Sequence, residues 1–258
     1  MRDLDDAGRS LAAELLKIRR TRALLIALVA PYLVVLMPLV MALSQGDTLV
    51  RRPGFAAWGW LESSATLSWT LILFPLFLSL EAALLAAMEH RSDGFKHLFV
   101  LPVRRGAVYA AKQIAMALLV AVSLLLLAAG VAVAGLLLRR LRPGLGFEAP
   151  VPWSDLFGGA AAIFAASGLV LAVQTWVSLR WRSFAPVLTL GILAMVVTVA
   201  LNSGGETVWP WFPWSLPFRA ARAAAEGTGE PALLVVGALG GLLTACLGGW
   251  EMTRRDVF

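Results

Sequence analysis

Six apolar runs, each close to or above the length of a membrane crossing, decide what this chain can fold into. They occupy residues 23–43, 66–88, 108–138, 155–179, 184–202 and 232–250. A helix of about 20 apolar residues crosses a hydrocarbon core of about 30 Å. Backbone N–H and C=O groups find no water there, so each run must bond within itself, as a helix does. Charged residues are only 15% of the 258, against about a quarter in a soluble domain. Mean hydropathy is +0.79, so the solvent for most of the chain is lipid. Six crossings leave little chain over. The expectation is an all-α membrane protein of six transmembrane helices, a single transmembrane domain across 1–258 with no separate soluble domain.

The charges then set the orientation. With the N-terminus in the cytoplasm, fifteen of the 22 Lys and Arg fall inside and seven outside. The positive-inside rule therefore places both termini in the cytoplasm. The cluster Arg139, Arg140 and Arg142 runs against the rule. The net charge of +6 belongs to these flanks and is not read as a nucleic-acid surface. The single cysteine, Cys246, falls inside the sixth run, which rules out an intrachain disulfide and reads as small apolar packing.

Residues 1–22 are not a span. Leu4, Leu11, Leu15 and Ile18 recur on one helical face, with Arg19, Arg20 and Arg22 after them. This pattern predicts an amphipathic helix lying in the headgroup layer against membrane lipid, or a positive flank that only fixes topology. Pro31 and Pro38 interrupt the first span, and neighbouring helices must satisfy the carbonyls they free. An outer loop over 44–65 holds Trp58 and Trp60 as interfacial anchors. Gly237 and Gly241 form a pair that admits another helix closely. The stretch 203–231 reads VWPWFPWSLPFRAARAAA at 208–225. Its Trp209, Trp211 and Trp214 alternate with prolines, which excludes a continuous helix and suits a re-entrant outer segment, or ordinary belt anchoring.

Catalytic signatures are sparse. There is no Gly-Lys dipeptide and so no phosphate-binding loop, and there is no HExxH. His90, Asp93 and His97 would share a helical face as metal ligands do, but Gly94 breaks that helix, and a solvated loop face is the plainer reading. An intramembrane metalloenzyme is the alternative that this cluster supports. Glu81 lies inside the second run, and Gln174 in the fourth is the other polar candidate. Intramembrane carboxylates are costly and line a cavity or take a partner. Both are candidate pathway residues.

Four stretches carry a family resemblance. They are AELLKIRRTRALL at 13–25, SWTLILFPLFLSL at 68–80, EHRSDGFKHLFVLPVRRGAVYAAK at 89–112 and the terminal RRDVF. Together they resemble a permease subunit of type-2 ATP-binding-cassette exporters, nearest the lantibiotic-immunity and bacitracin-resistance branch. The resemblance implies a bacterial inner-membrane protein that exports an amphipathic peptide or lipophilic antibiotic, a role in antibiotic resistance. The chain itself is then no enzyme and holds no cofactor. ATP and Mg bind a cytosolic ATPase partner, and a second permease copy or paralogue completes a dimer. By matching positions, Glu89, Phe95, Lys96, Leu98, Leu101, Pro102 and Lys112 would couple to the ATPase through a short helix in the loop 89–107. Trp209, Trp211 and Trp214 would form an outer gate. A non-transporting membrane anchor for an ATPase remains the second alternative.

Overall fold

The computed structural model describes residues 2–19, 21–91, 105–181, 183–202, 209 and 211–254, with side chains from residue 8 onward apart from 88–91 and 105. Nine α-helices account for nearly all of these residues. They are α1 (Arg2–Arg19), α2 (Arg22–Val50), α3 (Ala57–Ser68), α4 (Phe74–Arg91), α5 (Arg105–Leu141), α6 (Trp153–Arg180), α7 (Phe184–Asn202), α8 (Ser215–Glu226) and α9 (Pro231–Arg254). Six stretches are long and apolar enough to cross a membrane: α2, α3 with α4, α5, α6, α7 and α9.

The second crossing is longer than the apolar run suggested. It spans Ala57–Ala87, because α3 passes into α4 through one wide π-helical turn at Trp69–Leu73. Pro75 explains the turn. Proline has no N–H and its ring clashes with the carbonyl four residues back, and a widened turn relieves both. The expected outer loop over 44–65 is correspondingly mostly helix, since α2 runs on to Val50. Trp58 is not an interfacial anchor. It is buried, donates Nε1–H to the Ala149 carbonyl at 3.2 Å, and packs edge-on to Phe147 at 5.2 Å.

The prolines of α2 do not break it; the residue with non-helical dihedrals is Gln45, at φ −125° and ψ 20°. Pro31 has no N–H to donate to the Ala27 carbonyl, and the Ser123 hydroxyl on α5 donates to that oxygen instead, at 3.0 Å. A neighbouring helix thus supplies the missing donor.

Burial separates centre from rim. In their most apolar stretches α3–α4, α5 and α6 are 50–61% buried, whereas α2, α7 and α9 are 22–28% buried. The rim helices turn large residues such as Leu33, Met37, Leu193 and Leu243 outward. Cys246 is exposed on α9, contrary to the packing role expected of it. The most extensive helix pairing is α6 with α9. Glycine makes it: a Cβ on Gly241 would stand 2.6 Å from the Gly168 carbonyl oxygen, and one on Gly237 2.6 Å from that of Ala165. Only a hydrogen atom fits there, as the Gly237/Gly241 spacing suggested.

α8 occupies part of the 203–231 stretch, whose prolines exclude one helix throughout. It starts at Ser215, so Pro217 sits in the first turn, whose N–H groups have no intrahelical acceptor in any case. Gly227 closes it at φ +66°, the left-handed cap that glycine adopts without strain.

Candidate functional site

At the end of the bundle where α1 lies, the sequence buries a charged pair. Lys112, near the start of α5, is 2% exposed, and Glu14 on α1 is 3% exposed. Lys112 Nζ donates to both Glu14 carboxylate oxygens, at 3.1 and 3.0 Å. Lys17 donates to the same carboxylate at 3.0 Å. Charged hydrogen bonds of this kind are short and strong, and the low-dielectric surroundings sharpen them. α1 therefore does not merely lie against the bundle; it is latched to α5 by an ion pair. Sequence reasoning reached Lys112 but missed Glu14. The signal was present: with Leu11 and Ile18, Glu14 falls on the apolar face of α1, where a carboxylate requires a partner.

Beside the latch, α9 and α6 are tied at the same end. The Trp176 indole donates to Glu251 Oε2 at 2.6 Å, and Arg180 to Glu251 Oε1 at 2.5 Å. Of the expected coupling residues, Phe95, Lys96, Leu98, Leu101 and Pro102 lie outside the described residues. So do Asp93 and His97. Glu89 and His90 fall in the last turn of α4, with their side chains outside the description. Among the described residues no group of three or more His, Cys, Asp or Glu could hold a metal.

The interior carries the polar pair named from sequence. Gln174 is fully buried on α6; its amide donates to Ser79 Oγ on α4 at 2.8 Å and to the Val187 carbonyl on α7 at 2.9 Å. It ties three helices. Ser79 in turn lies against Gly191 of α7, which has no side chain to keep it away. Glu81, two residues further along α4, is 0% exposed, and neither carboxylate oxygen has a hydrogen-bond partner among the described residues. Such a group costs about 1–3 kcal/mol or more as long as it stays unsatisfied.

At the opposite end the three tryptophans separate. Trp209 and Trp211 are half exposed, whereas Trp214 is buried with its indole N–H unpartnered among the described residues. Phe212 stacks between Trp209 and Trp214, with ring centroids 5.7 and 5.6 Å away. Behind them α8 packs on α6 and α3. Between these three helices lies a cavity of about 350 Å³, into which α3 turns Glu62 and α6 turns Asp155. Neither acid was singled out from sequence. By hydropathy the apolar run begins at residue 66, which leaves Glu62 in a loop rather than within a crossing.

A comparison with protein families matches residues 10–201 to a family described as ABC-2 family transporter protein. The matched stretch runs from α1 into α7 and takes in Glu14, Glu62, Glu81, Lys112, Asp155 and Gln174. A search of curated proteins finds no match.

Proposed function

The chain belongs to the ABC-2 transporter family as a membrane-spanning permease component, and from that premise we propose that it exports an amphipathic peptide or lipophilic antibiotic, driven by a separate cytosolic ATPase. Permeases of this family pair with ATPase subunits. In this reading the substrate class is that of the lantibiotic-immunity and bacitracin-resistance exporters, which the sequence resembles. α1 and the loop after α4 face the cytoplasm in this reading, and the α3–α6–α8 cavity opens outward. A second copy or a paralogue packs against the apolar rim.

One observation carries the reading: the buried Glu14–Lys112 pair joins an amphipathic helix to the longest crossing. A helix held in that way transmits a push. When a partner moves α1, α5 must follow or the pair must break, and breaking it leaves a charge in the interior at a cost of about 3–5 kcal/mol. Lys112 thus serves coupling from inside the protein, through α1, while Phe95 and Leu98 act as apolar anchors in a groove of the ATPase. Glu89, Lys96, Leu101 and Pro102 complete that contact.

The test is biochemical. Affinity-tagged chain purified from native membranes should carry with it an ATPase whose turnover is abolished by vanadate. Phe95→Asp should release that ATPase while the permease stays inserted. Retention of the ATPase by Phe95→Asp would move the docking surface elsewhere, and a preparation with no ATP turnover would remove the coupled-export reading.

A further inference from the structure

The cavity between α3, α6 and α8 has a character that its neighbours explain. Small residues face one another across it: Gly59 from α3, Gly158 and Gly159 from α6, Ala221 and Ala224 from α8. Between α6 and α9 such residues bring two backbones into contact. Here α8 stands across the ends of α3 and α6, and the missing side chains leave a hollow instead. Its volume of about 350 Å³ falls in the range of small-molecule sites, about 300–1,000 Å³.

The lining is graded. At the mouth are Asp155 and Ser154, in the first turn of α6. Asp155 there has an ordinary reason to exist, since a carboxylate complements a helix N-terminus. Glu62 has no such reason. It sits in mid-helix, half-buried, within a membrane crossing, with no ion pair or side-chain hydrogen bond among the described residues. Its carboxylate lies over Gly159, where a Cβ would stand 3.1 Å from Oε1. Beyond Glu62 and Thr66 the hollow narrows into a crevice of about 10 Å³ walled by Leu127, Val131 and Leu156. These three are at most 3% exposed. Asp155 therefore stands at the mouth, Glu62 at the neck and aliphatic side chains beyond it, with no cation among the described residues facing into the hollow.

We propose that this cavity binds an amphiphilic organic cation, with Glu62 and Asp155 taking the charge and the apolar body lying in the hollow against Ile163 of α6 and the alanines of α8. The proposal rests on the export reading and sharpens it: the substrate class becomes cationic. A bare metal ion fits poorly, because two carboxylates facing a hollow of this size leave most of a coordination sphere unfilled.

Equilibrium binding of radiolabelled tetraphenylphosphonium to the full-length chain in lipid nanodiscs tests this, with tetraphenylborate as the anion of the same shape. Saturable binding of the phosphonium is expected, without competition by the borate. Glu62→Gln should weaken it about tenfold or more, equivalent to about 1.4 kcal/mol, and Asp155→Asn by less. Ala225→Trp, which fills the hollow from α8 while keeping both acids, should abolish it. Glu148→Gln, an exposed acid away from the cavity, should leave it unchanged. Equal affinity in wild type, Glu62→Gln and Ala225→Trp would overturn the proposal, as would equal binding of the borate. Displacement by calcium with no effect of Ala225→Trp would assign the acids to an inorganic ion instead. No ATPase is needed for this measurement, so its failure leaves the coupled-permease reading standing, and the converse also holds.

Discussion

Glu14 and Lys112 compensate each other in the interior, and Lys17 shares the Glu14 carboxylate from a more exposed position. Removing one partner strands a charge, whereas removing both leaves two neutral groups of similar bulk. Lys112→Met should therefore lower stability, by less than the about 3–5 kcal/mol of a fully stranded charge because Lys17 still reaches Glu14, and Glu14→Gln with Lys112→Met by clearly less than the two single effects summed. A double-mutant cycle on thermal or denaturant unfolding in detergent measures the coupling. Lys17, on the same carboxylate but 39% exposed in its side chain, should show little coupling by comparison. Glu81 makes the opposite case. Its carboxylate is enclosed with no partner among the described residues, so the fold would be more stable without it. Glu81→Met should raise the free energy of unfolding by about 1–3 kcal/mol while altering substrate-stimulated turnover of the assembled transporter. A stabilised variant with normal turnover would leave Glu81 without a part in the pathway.

Among the elements, α9 shows how narrowly a helix contact is set. Gly241 and Gly240 are adjacent in sequence, yet a Cβ on the first would meet backbone at 2.6 Å and on the second only the Leu169 side chain at 3.4 Å. Gly241→Ala should force α6 and α9 apart and cost about 1–3 kcal/mol. Gly240→Ala should be neutral or stabilising by up to about 1 kcal/mol, since it removes only the entropy of a mid-helix glycine. Melting temperatures of the two variants side by side decide it. α8 is held differently, by burial of Trp214, Leu216 and Phe218 and by the Arg219–Glu230 bridge at 2.8 Å. If it gates the outer end, replacing Trp211 and Trp214 together by Ala should impair export with the ATPase still bound. If the tryptophans only anchor the segment, the same variant should melt earlier and export normally.

For the whole molecule, orientation is the property on which the rest depends. With both termini inside, the orientation we propose from the charge bias, the cavity of α3, α6 and α8 faces out. Single cysteines at Thr48, Glu148 and Thr228, in a Cys246→Ala background, should label from outside in intact cells. All three sites are exposed at one end of the bundle. Labelling only after the membrane is opened would invert the molecule and with it the direction of the cavity. Replacement of Cys246 is required because it is itself exposed.

The amino-acid sequence alone determined the number of crossings, the amphipathic N-terminal helix and the close approach allowed by Gly237 and Gly241. These follow from local quantities: apolar length against bilayer thickness, helical periodicity and the absence of a side chain. It also singled out Glu81 and Gln174, because a polar group in an apolar run is visible without a partner, while Lys112 entered through the family resemblance. The partners were not visible. Glu14 lies 98 residues from Lys112, and Ser79 lies 95 residues from Gln174. Nothing local encodes such a pairing. The second crossing was underestimated because Gly59, Glu62, Ser63 and Ser64 dilute the hydropathy of α3, and only packing against α2, α5 and α8 makes that stretch a buried helix. The cavity is the clearest case of a property of the tertiary structure. Small residues close α6 on α9 at Gly168, Gly237 and Gly241 but leave a hollow under α8 at Gly59, Gly158 and Gly159, and which of the two occurs is decided by where the third helix stands.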